Sequence, residues 1–200
     1  MSDLFRDKAE DWDTRPVPAQ ISEGVFQAIR ETVPLRADQR VMDFGAGTGL
    51  VCGKLAPHVG PILAVDISEA MLEKLAAKPE LAGQVSIRAQ NLLEKPLDEQ
   101  VDLVVSAMAM HHVEDTDALL RTLHAHLAPG GQLAIADLDA EDGTFHPPGI
   151  EGVFHLGFDR EALAAKLEAA GFHGVVFRTA VEVQKEERRY PVFLVTAQRG

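Results

Sequence analysis

The sequence predicts an α/β domain in which a mostly parallel sheet carries helices on both faces. Three observations predict it. Five short runs, 40–44, 61–65, 85–89, 101–107 and 132–137, are predominantly apolar and suited to strands buried on both faces. Stretches with helical periodicity, 50–58, 68–78 and 115–127, separate most of them. Two further strands, 175–183 and 190–198, are joined by 184–189, short enough for a hairpin, so the last strand runs antiparallel.

The elements follow in order. Segments 4–12 and 17–32 read as helices ahead of the sheet. Ser68 and Asp115 are N-cap residues for the second and third crossover helices, because their side chains can accept from the first free N–H groups. Pro129, Gly130 and Gly131 stop the third helix. Between the third and fourth strands, 92–100 contains Pro96 and few periodic positions, so its helix is nearly absent. An irregular stretch, 141–158, precedes a helix over 159–170 that Gly171 ends. His124 and His126 are placed on a helix surface.

With 200 residues, 46% of them hydrophobic, one domain spanning 1–200 is expected. The formal charge of −12 argues against a nucleic-acid backbone as partner, since phosphates call for clustered Lys and Arg. No apolar run reaches the ~18 residues of a membrane span, and residues 1–10 carry charges throughout rather than a leader's apolar core. The single Cys52 forms no internal disulfide and fits a cytoplasmic location. A divalent ion at Asp137, Asp139 and the histidine pair is conceivable, but no metal is expected.

The chemistry concentrates at Val41-Met42-Asp43-Phe44-Gly45-Ala46-Gly47-Thr48-Gly49-Leu50, a buried strand running through a glycine turn into a helix. Such a turn lets a ligand approach bare backbone. Asp66 ends the second strand, where a carboxylate accepts from ribose hydroxyls; the competing role is to cap the helix near Ser68. A nucleoside is implied. The third glycine falls one position before that of the dinucleotide pattern G-x-G-x-x-G, where Leu50 stands.

Asp43, Gly45, Gly47 and Gly49 fill the pattern D/E-x-G-x-G-x-G, and here the chain resembles the class I S-adenosyl-L-methionine (SAM)-dependent methyltransferases, small-molecule type. Companion segments stand in the same order: Asp66, Gln90-Asn91-Leu92, 106–112, and Leu127 to Gly131. The resemblance implies a Rossmann-like seven-stranded sheet in the order 3-2-1-4-5-7-6, and SAM as cofactor. By the same resemblance Gly45, Ala46, Gly47 and Gly49 line the methionine and ribose, and Asp43 orients the loop or reaches the ammonium through water. Asp66 binds the ribose and Ile67 lies on the adenine. Asn91, where many relatives carry aspartate, and Leu92 meet the adenine, while the backbone of Ser106 and Ala107 faces the amino group. Trp12, with Arg15, resembles a front lid formed by 1–33 that closes over the methionine.

His111 and His112, just past the fourth strand, are the candidate bases if the acceptor must lose a proton; local packing is the alternative role. Segment 141–158 overhangs the same edge and supplies Phe145, His146, Phe154 and His155 to enclose a compact small-molecule substrate. The acceptor atom is left open among oxygen, nitrogen, carbon and sulfur. Two other readings stay open: a SAM-binding protein without catalysis, and a nucleotide-dependent oxidoreductase.

Overall fold

The computed structural model describes residues 3–200. Seven strands, β1 (Val41–Phe44), β2 (Ile62–Asp66), β3 (Val85–Ala89), β4 (Val101–Ala107), β5 (Leu127–Leu138), β6 (Phe172–Lys185) and β7 (Arg188–Arg199), form one sheet in the order β3-β2-β1-β4-β5-β7-β6. The first five pair in parallel, and β7 lies antiparallel between β5 and β6. Strand residues alternate between two cores: Val41, Ile62, Leu103, Ala134 and Leu194 face one, and Met42, Leu63, Val104, Leu133 and Phe193 the other.

The first core is covered by α2 (Pro16–Thr32), α3 (Leu50–Leu55) and α4 (Glu69–Ala76). The second is covered by α5 (Thr116–His126) and α6 (Arg160–Ala169). Capping follows side-chain chemistry: Ser68, Asp115 and Asp159 accept from Met71, Ala118 and Ala162 N–H, satisfying the first turns of α4, α5 and α6.

Ahead of the sheet the expected helix over 4–12 shrinks to α1 (Arg6–Ala9) and a 3-10 turn, Trp12–Thr14. The idea of a single lid over 1–33 is narrowed too. Val25 and Ile29 of α2 are fully buried, each worth roughly 1.5–3 kcal/mol, so α2 is built into the core rather than laid over it.

Two expectations are corrected. β5 begins at Leu127, not near 132, because Leu127 already pairs with Val101; Pro129 to Gly131, with Gly130 at φ 76°, bulge out before the regular pairing resumes at Gln132 with Leu103. His126 is buried, not on a helix surface. Its Nδ1 donates to Thr122 O at 2.7 Å and its Nε2 accepts from Leu97 N–H at 3.0 Å. That imidazole ties down 92–100, which, as expected, forms no helix.

Candidate active site

Parallel strands deliver their carboxyl ends to one edge, and there the loops after β1, β2, β4 and β5 meet. The turn after β1 is stitched to β2, since Gly45 and Ala46 N–H donate to Val65 O at 2.8 and 3.2 Å. A β-carbon on Gly45 would fall 2.2 Å from Ala109 Cβ, and one on Gly49 would fall 2.7 Å from Leu75 Cγ. At Gly47 (φ 54°) it would meet nothing within 4 Å. Two glycines therefore allow close packing, and the third borders open space. Sequence alone does not separate these roles.

Asp66 faces that space. Its Oδ2 accepts from Gly47 N–H at 2.8 Å and its Oδ1 from Ser68 N–H at 2.8 Å. Ser68 itself caps α4, which leaves Asp66 free of the capping role. Burial raises the Asp66 pKa, and the N–H groups of Ser68 and Gly47 oppose that rise. Ile67 follows, 64% exposed, an apolar face held out beside the carboxylate.

Asp43 is fully buried and accepts from the Cys52 thiol at 3.1 Å. Burial pushes its pKa to about 7, with the nearby Asp66 charge adding and the Cys52 hydrogen bond opposing. Between about pH 4 and 7 the folded chain thus holds a proton that the unfolded chain has released. The stability from this group is complete below about pH 4 and lost as pH rises through 7. Asp43→Asn is expected to melt higher than the wild type at pH 8 without cofactor and to show no gain at pH 4; equal melting curves at both pH values would refute the assignment.

Ser106 Oγ is buried with no hydrogen-bond partner among the described residues, and Ala107 beside it is half-buried. After β4, Met108 takes a positive φ of 57°. That bend swings Ala109 against Gly45 and leads into the turn Met110–His112.

Two expected contacts are narrower than the sequence suggested. Asn91 Oδ1 accepts from Leu93 N–H and its Nδ2 donates to Glu94, so the carboxamide is engaged in its own turn. The Leu92 side chain is wholly buried in the second core, leaving only its backbone for any ligand.

The histidine pair divides. His111 is 1% exposed. Its Nδ1 lies 2.7 Å from Asp137 Oδ1, and its backbone N–H donates to Asp137 Oδ2 at 3.1 Å. Its Nε2 lies 3.2 Å from Nε2 of His146, on the overhanging segment. His112 Nδ1 donates to Gly152 O at 2.6 Å, and Phe5 stands edge-on to its ring. The sequence offers Asp137 only as a conceivable metal ligand. Its pairing with His111 joins residues 26 apart, and the signal available was a lone acid inside an apolar strand. No group of three His, Cys, Asp or Glu residues is arranged to hold a metal ion among the described residues.

Segment 141–158 is fixed to this edge by backbone. Phe154 and His155 N–H both donate to His111 O, and Phe158 N–H donates to Leu138 O at 2.9 Å. Phe145 is buried against Tyr190, whereas Phe154 is 52% exposed. From the other side, Thr48 Oγ1 donates to Asp13, and Trp12 packs with Phe5 on Ala9, Ala70 and Met71. Trp12 therefore stands over the start of α4.

A family model described as "Methyltransferase domain" matches residues 18–176. The chain belongs to the methyltransferase domain family. The chain is 34% identical over 132 residues to an uncharacterized methyltransferase of Mycobacterium bovis, covering 66% of this chain and 64% of that one. It is 35% identical over 183 residues to the malonyl-(acyl-carrier protein) O-methyltransferase of Methylococcus capsulatus, covering 88% and 64%. A solved structure, the N-methyltransferase NodS of Bradyrhizobium japonicum in complex with S-adenosyl-L-homocysteine, aligns with TM-score 0.73 at 20% identity, covering 98% of this chain and 94% of that one. That is a likeness of fold. The match spans 49% of a Schizosaccharomyces pombe relative and 64% of the mycobacterial one, so the chain corresponds to about half to two thirds of these curated relatives.

Proposed function

We propose that this methyltransferase binds SAM at the carboxyl edge of β1, β2 and β4 and transfers its methyl group to a small-molecule acceptor. The observation that carries the reading is the bare space at Gly47, faced by the Asp66 carboxylate and backed by the unpartnered Ser106 Oγ. These features fit the cofactor. Asp66 accepts from the ribose hydroxyls, Ile67 supports the adenine, and Ser106, Ala107 and Asp43 serve the cationic amino-acid end. When bound, SAM supplies a methyl group activated on a positively charged sulfur.

The protein's part is to align the acceptor and exclude water. Residues 3–15 close the front, tethered through Asp13 to Thr48 and through Lys78 to Asp13. Residues 141–158 close the acceptor side. A compact acceptor is favoured because both covers rest on the same edge. No helix among the described residues is long and apolar enough to cross a membrane.

Calorimetry with SAM tests the reading. The wild type is expected to bind, and Asp66→Ala to weaken binding by 10- to 100-fold, the loss of hydrogen bonds worth roughly 1.5–3 kcal/mol to a charged acceptor. No binding by the wild type would overturn it.

A further inference from the structure

Resting on the methyl-transfer reading, we propose that His146 Nδ1 is the proton acceptor for the substrate and that His111 and Asp137 form a buried relay behind it. The hydrogen bonds assign the protons. Asp137 accepts backbone N–H groups from His111 and Leu138, one at each carboxylate oxygen. The His111 ring therefore donates from Nδ1, and its Nε2 carries a lone pair. Across 3.2 Å that lone pair takes the Nε2 proton of His146. His146 Nδ1 is left as the basic atom, and it makes no hydrogen bond among the described residues. His111, 1% exposed with both nitrogens engaged, does not reach a substrate.

The surroundings suit an inward proton movement. Burial holds the His146 pKa at about 4, helped by His111, His112, Lys185 and Lys8. His112 is held at about 4, chiefly by burial and then by His111, against its bond to Gly152. His146 thus meets the acceptor uncharged at neutral pH, yet by itself is a weak base. Lys185, over the Phe145 ring at 4.0 Å, and Lys8 oppose a positive charge at His146. A charge one ring deeper lies against Asp137.

The balance closes. As the acceptor gains the methyl group it gives its proton to His146 Nδ1. The carbon–sulfur electron pair remains on sulfur, the Nε2 proton of His146 crosses to His111 Nε2, and His111 becomes an imidazolium paired with Asp137. The substrate class that needs this device carries a removable proton on an atom with a lone pair, as an alcohol, a phenol or an amine does; a carboxylate does not. His146 is the catalytic residue, and His111 and Asp137 are positioning residues.

Nitrogen-15 NMR of the histidine side chains reads the relay without any acceptor. His111 is expected as the Nδ1–H form and His146 as the Nε2–H form, with Asp137→Asn shifting both; a proton on His111 Nε2 overturns the proposal. Methyl transfer from labelled SAM to a panel of phenols, amines and carboxylic acids supplies the second readout. His146→Gln can still donate to His111, so the fold is kept, and it is expected to lower kcat by 10²- to 10⁴-fold with SAM binding unchanged. Imidazole added to His146→Gly is expected to restore part of the rate. Full turnover by His146→Gln, or turnover of carboxylic acids alone, overturns the assignment. Unchanged SAM binding in either variant separates this failure from failure of the cofactor site.

Discussion

Leucine at Gly47 is expected to weaken SAM binding at least 100-fold while the protein stays folded. The reason is the contrast within one loop. A β-carbon at Gly47 enters open space, so the rest of the side chain occupies the hollow that Asp66 faces. The cost to the fold is the positive φ of 54°, about 1–2 kcal/mol for a residue with a β-carbon. Alanine at Gly45 is the complementary case. Its β-carbon would collide with Ala109 Cβ at 2.2 Å, so the loops after β1 and β4 must separate and the melting temperature must fall. Calorimetry and thermal unfolding of the two variants check the pair. Wild-type affinity in Gly47→Leu would show that the cofactor lies elsewhere.

Alanine at Gly157 is expected to be the most damaging single substitution at the acceptor side. Its β-carbon would sit 2.1 Å from Asp139 O and 2.6 Å from Asp139 C, both backbone atoms, with φ at +74°. No side chain can turn away to relieve this. The chain there is held by Phe158 N–H to Leu138 O and Ala140 N–H to Phe158 O, the short parallel bridge that carries 141–158 back onto β5. Parting these strands costs roughly 3 kcal/mol or more, a loss of about 6–12 °C in melting temperature for a chain of this size. Amides of 141–158 should exchange faster by hydrogen exchange than in the wild type. An unchanged melting temperature would refute the close approach.

Much of the architecture was legible because its signals are local. Short apolar runs marked β1, β2 and β4, Ser68 and Asp115 marked helix starts, and the D-x-G-x-G-x-G turn marked the edge that matters, whereas β3, expected to be buried on both faces, is an edge strand that leaves Ser86 and Arg88 exposed. The signals that misled depended on distant partners. His126 looked polar and exposed, yet Leu97, far along the chain, makes it a buried clamp. Segment 17–32 looked like part of a lid, yet β6 and β7 give its apolar face a permanent partner.

By itself the sequence determined the order of strands and helices, the glycine turn and the acid after the second strand, since each follows from backbone conformation and hydrophobic period within a few residues. Only the tertiary structure decided which glycine borders empty space, and that Asp137, His111 and His146 line up. Those facts depend on ångström-scale approach between segments 26 to 64 residues apart, and no local rule of the chain encodes such a distance.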